Sequence, residues 1–169
     1  MNSSILPCPL PAEALLLRYQ GEGSYADCYA TDIARTVTHA EFVQAFYTTR
    51  LFKVERLILR WFAARPATDA QARELATGHT DTIAAWRVEG RATDQLLLAD
   101  FTGRTRSWLM VAAGAAGTGT RLYFGSAVVP ARRSGGKPAS LGFPFQALLG
   151  FHKLYSRLLL KAASARLQR

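Results

Sequence analysis

The spacing of apolar and polar positions along this chain changes twice. Between Ser24 and Asp32 it alternates, with Tyr25, Asp27, Tyr29 and Thr31 on one side and Ala26, Cys28 and Ala30 on the other, which predicts a first strand. From Thr38 the period becomes helical. Thr38 and Glu41 have the spacing of a capping box, and Phe42, Val43, Phe46 and Tyr47 follow on one stripe. A second amphipathic helix is predicted over 51–64, where Val54, Leu57, Ile58, Trp61 and Phe62 share a face. Pro66 ends it, and Thr68 with Asp69 opens a short helix that stops at Gly78.

Past residue 80 the alternation returns. Turn signals recur about every ten residues, which predicts an antiparallel meander with strands over 82–89, 95–101, 105–113 and 120–129. A basic, glycine-rich loop over 130–138 precedes a long closing helix over about 145–167. Phe145, Leu148, His152, Tyr155 and Leu159 line one of its faces, and Lys153, Arg157 and Lys161 another. Pro7, Pro9 and Pro11 break up the start of the chain, so residues 1–22 are expected to form an irregular arm and 23–169 a single domain. A half-wet antiparallel sheet must cover its apolar face, and the closing helix is the element long enough to do so. The expectation is an α+β fold in which an antiparallel sheet of about five strands grips a long C-terminal helix, with two or three helices inserted after the first strand.

This order resembles the helix-grip superfamily of START-like and polyketide-cyclase-like domains, over about residues 24–167. The opening strand YADCYATD, the strand RLYFGSAVV and the closing helix FQALLGFHKLYSRLLLKAA look like a bacterial family within or near that superfamily. The predicted sheet has fewer strands than that fold usually carries. The resemblance implies a pocket between sheet and closing helix that takes a small apolar or amphipathic molecule, and a cyclase-like acid/base enzyme in the same pocket as the alternative.

The residues suit such a pocket. Tyr25, Trp86, Trp108, Tyr123 and Phe145 are candidate aromatic walls, together with Tyr29, Phe124 and Tyr155, although aromatics at these positions also simply fill cores. Asp27 and Arg87 would anchor a polar ligand if both faced inward as a pair. The simpler expectation is that both point outward from half-wet strands, because Ala84, Trp86 and Val88 make the better inner face. His152 lies on the apolar stripe, as a pocket acid or base or as a hydrogen-bonded core histidine.

Other chemistry is harder to support. No nucleophile elbow or phosphate loop is present, His79 and Asp81 alone do not make a metal site, and no cofactor is expected. Cys8 and Cys28 form no disulfide framework. No run reaches the ~20 apolar residues of a membrane span and the N-terminus lacks a signal-peptide pattern, so a soluble, cytoplasmic protein is expected.

Charge is divided unevenly. Residues 1–100 carry ten Lys and Arg against twelve Asp and Glu, whereas residues 101–169 carry eleven basic side chains and no acidic one. As a further alternative, Arg132, Arg133, Lys137, Lys153, Arg157, Lys161, Arg166 and Arg169 would make a basic surface module for an anionic membrane or nucleic acid, although the same stripe is what an ordinary solvated face shows. Nucleic acid is disfavoured, since no recognition motif accompanies the charge. Exposed sheet edges would allow a homodimer.

Overall fold

The computed structural model describes residues 4–21, 24–50, 68–114, 117–129 and 143–169, with the side chains of the last segment described from Lys153 onward. The helix expected over 51–64 and the basic loop over 130–138 lie outside the described residues, as do the side chains of Phe145 and His152.

The chain forms an α+β fold around one antiparallel sheet. Strands β1 (Leu6–Pro7), β2 (Tyr25–Ile33), β3 (Thr82–Ile83), β4 (Trp86–Arg91), β5 (Gln95–Asp100), β6 (Thr105–Ala113) and β7 (Thr120–Val128) lie in the order β1-β2-β7-β6-β5-β4-β3. Among the described residues the sheet therefore has seven strands rather than about five, and the two additional strands are short. β1 comes from the proline-rich arm, which pairs Leu6 with Ala30 and Pro7 with Tyr29. β3 arises because the expected strand over 82–89 is a hairpin, turned at Ala84 and Ala85 with Ala84 at φ 51°. Hairpin turns with positive φ are usually signalled by Gly or Asn, and two alanines gave no such signal. Both edges of the sheet are two-residue strands, which leaves little unpaired backbone as a template for another strand.

Helices cover one face. α1 (His39–Tyr47) starts at the Thr38 capping box, with Glu41 as its third residue. α2 (Asp69–Thr77) has its own box of Thr68 and Gln71 and ends at Gly78, whose φ of 81° is the left-handed C-cap that glycine accepts without a side-chain clash. α3 (Phe143–Leu167) closes the chain. Phe42, Val43 and Phe46 of α1, Leu75 of α2 and Leu159, Leu160 and Ala163 of α3 bury against Tyr29, Ile33, Leu96, Leu98, Leu109, Leu122 and Phe124 of the sheet. Among the described residues, no helix is long and apolar enough to cross a membrane.

The arm covers the other face. A single 3-10 turn (Leu15–Tyr19) places Leu16 against Cys28, Leu97, Trp108, Met110 and Ala127. Gly125 makes room for it, because a Cβ there would stand 2.8 Å from Leu16 and 3.0 Å from Trp108. Gln95 fastens the arm: its Oε1 accepts from Leu15 N–H and from Trp108 Nε1, each at 2.9 Å, and its Nε2 donates to the Glu13 carbonyl at 3.1 Å. Residues 4–21 are thus a packed layer, and β5 is apolar on both faces because both are covered.

Candidate functional site

A cavity of about 260 Å³ lies between the sheet, α1 and α3. Phe46, Trp86, Phe124 and Leu159 supply apolar wall, and Ser107, Ser126, Tyr155 and Ser156 supply hydroxyls. Alternation explains the strand residues. Ser107 shares its side of β6 with Leu109, Ser126 shares its side of β7 with Leu122 and Phe124, and the two serines stand opposite one another. Two polar groups of the lining residues, Ser156 Oγ and Trp86 Nε1, are buried with no hydrogen-bond partner among the described residues.

A polar row runs from this cavity across the sheet. Tyr47 Oη lies 3.1 Å from Ser107 Oγ. On the next strand Ser126 Oγ donates to Asp27 Oδ1 at 2.6 Å, and Tyr25 Oη donates to Asp27 Oδ2 at 3.1 Å. Tyr25, Asp27 and Tyr29 in turn line a groove of about 610 Å³ beside β2, together with Cys8, Lys153 and Arg157. Burial and the Asp27 carboxylate raise the Tyr25 phenol above its ordinary range. The same two causes raise Tyr29, with Arg157 opposing them.

The expected site residues therefore part company. Trp86 lines the cavity, and Tyr25 and Asp27 line the groove. Asp27 faces the helices and is half-buried, against the expectation that it points to solvent; its ladder partner Ser126 and its neighbour Tyr25 supply the hydrogen bonds that keep a carboxylate there. Arg87 is exposed, on the opposite side of β4 from Trp86. β7, β6 and β5 intervene between β2 and β4, so Asp27 and Arg87 are about 19 Å apart in strand spacings and form no pair.

Trp108 and Tyr123 lie on the arm side, not between sheet and α3. Trp108 is fully buried and bonded to Gln95, and Tyr123 packs near it with the Arg121 guanidinium 5.6 Å from its ring centre. Phe145 and His152 belong to α3, outside the described side chains.

The serines went unnoticed in the sequence. Ser107 and Ser126 sit at inward-facing parity in strands that are otherwise apolar, which is the available signal, and Ser156 lies one residue from Tyr155 on the stripe of the closing helix. Among the described residues, no three His, Cys, Asp or Glu side chains cluster to hold a metal ion. His79 is exposed, with its Nδ1 2.7 Å from Thr77 Oγ1. Compared with known proteins, the chain matches no family model and no curated protein.

Proposed function

We propose that the protein binds a small amphipathic molecule in the cavity between its sheet and closing helix, as a helix-grip domain. The observation that carries this reading is a cavity walled by Phe46, Trp86, Phe124 and Leu159 whose lining also includes the hydroxyl residues Ser107, Ser126, Tyr155 and Ser156. That combination fits a ligand with a mostly apolar body and one or two acceptors. Benzene fills a 150 Å³ cavity, so about 260 Å³ suits a ligand of about ten non-hydrogen atoms. The helix-grip assignment is supported by the seven antiparallel strands, by helices inserted between β2 and the meander, and by the 25-residue closing helix that packs on one face. Of the three residues on which a cyclase-like reading would draw, Asp27, Arg87 and His152, the first two lie far apart across the sheet, and the His152 side chain lies outside the described residues.

Displacement of an environment-sensitive amphipathic dye tests the binding. The purified chain is titrated with an anilinonaphthalene sulfonate, and small aromatic alcohols, ketones and carboxylic acids are then added as competitors. Saturable uptake that a competitor reverses, and that Ser156→Phe abolishes while the fold is retained, is the expected result. Uptake that Ser156→Phe leaves unchanged places the dye elsewhere and overturns the proposal.

A further inference from the structure

Cys8 and Cys28 sit where the arm meets the sheet. The β1–β2 ladder of Leu6 with Ala30 and Pro7 with Tyr29 continues with Cys8 N–H donating to the Cys28 carbonyl at 3.0 Å, so the cysteines are direct cross-strand neighbours. Opposed residues of an antiparallel pair have Cα atoms about 4.5–5.5 Å apart, inside the range of about 4.4–6.8 Å that a disulfide spans. Their sulfurs already stand 3.3 Å apart. Both are free thiols.

Their surroundings differ in burial. Both line the groove beside β2, but Cys28 is buried in a cluster with Leu16, Leu97 and Trp108, whereas Cys8 is half-exposed. The hydrogen bond with Cys28 holds the Cys8 thiol below its ordinary range against the opposing effect of burial, and the Arg121 guanidinium adds to the lowering. That same bond and burial push Cys28 up. An accessible, thiolate-prone sulfur beside a buried one gives an attacking and a resolving thiol.

We infer that Cys8 and Cys28 form a thiol–disulfide exchange site whose co-substrate is a small-molecule disulfide. The Cys8 thiolate attacks one sulfur of that disulfide, forming a mixed disulfide and expelling a small thiolate. Cys28 then loses its proton to solvent and attacks the Cys8 sulfur, which closes the Cys8–Cys28 bond and expels the second small thiolate. Two protein thiols are oxidised and one small disulfide is reduced to two thiols. Closure links the arm covalently to β2, next to Tyr29 and one residue from Asp27. It closes without a backbone rearrangement, because the ladder already holds the two residues opposite each other.

The full chain is equilibrated across ratios of reduced to oxidised glutathione, quenched in acid, treated with N-ethylmaleimide, and read by intact mass and peptide mapping. As the buffer becomes oxidising, the wild type is expected to lose two hydrogens, take up no maleimide and yield a Cys8–Cys28 linked peptide. Cys28→Ser should retain glutathione on Cys8, and Cys8→Ser should react roughly tenfold more slowly at Cys28. A lasting glutathione adduct on the wild type, a disulfide between molecules, or two alkylatable thiols in fully oxidising buffer would each overturn the inference. These decisive results are read on the wild-type chain, so a variant that fails to fold does not blur them.

Discussion

Ser126 gives both its hydroxyl, at 2.6 Å, and its backbone N–H, at 3.2 Å, to a single oxygen of Asp27, the residue that faces it across the β2–β7 ladder. Tyr25 donates to the other oxygen. A carboxylate on the helix side of the sheet is thus retained by its neighbours, and removing it takes the acceptor from three donors. Asp27→Ala is expected to cost about 2 kcal/mol in urea unfolding, and Asp27→Asn, which keeps an acceptor, about half as much. Equal costs for the two variants would mean that the hydrogen bonds contribute nothing.

Gln95 is the corresponding anchor on the other face, where it joins Leu15, Trp108 and Glu13. Gln95→Leu preserves size but leaves the Trp108 and Leu15 donors without that acceptor in a buried place. A loss of about 3 kcal/mol is expected, together with faster proteolysis within residues 4–21. Cleavage elsewhere first would contradict the anchoring role.

His39, at the start of α1, is buried, and burial lowers its pKa to about 4 from an ordinary 6.5. The unfolded chain therefore takes up a proton before the folded one does. The histidine leaves stability unchanged above about pH 7, weakens it progressively as pH falls from 6.5 toward 4, and adds no further loss below that, about 3 kcal/mol in all. His39→Gln should flatten the pH profile of unfolding over that window by a comparable amount. A profile parallel to the wild type would show that His39 is protonated in the folded state.

Two glycines with similar backbone angles should respond differently to alanine. Gly78 has φ 81° with none of the described residues within 4 Å of an added Cβ, whereas Gly119 has φ 74° and would bring its Cβ to 2.1 Å from the Ile33 carbonyl. Gly78→Ala should cost about 1 kcal/mol, and Gly119→Ala about 3 kcal/mol or more, measured by thermal melts. Equal costs would mean that the β2 end gives way easily.

Local signals were legible in the sequence wherever a specific residue type was required. The Thr38–Glu41 capping box, the helix start at Thr68 and the Gly78 stop could be read because Thr, Glu and Gly are favoured at those helix ends, whereas the Thr68–Gln71 box was not, and β6 could be read from its alternation. β1 could not, since a two-residue pairing inside a proline-rich arm has no period. The allocation of side chains to faces failed for a related reason. Alternation identifies the inner face when the other face is wet, but here the arm covers the second face, so Trp108 and Trp86 are both apolar in sequence yet lie on opposite sides of the sheet. The inward serines were passed over because a single Ser in an apolar strand reads as an interruption until its cross-strand partner is known.

Occupancy of the cavity by a small molecule is the central claim, and native mass spectrometry of the freshly purified chain, beside its denatured mass, tests it most directly. A persistent added mass that extracts as an amphipathic compound of about ten non-hydrogen atoms is the predicted result, with its loss in Ser156→Phe locating it in the cavity. A bare mass for the native chain, unchanged when small aromatic alcohols and acids are supplied in excess, would contradict it.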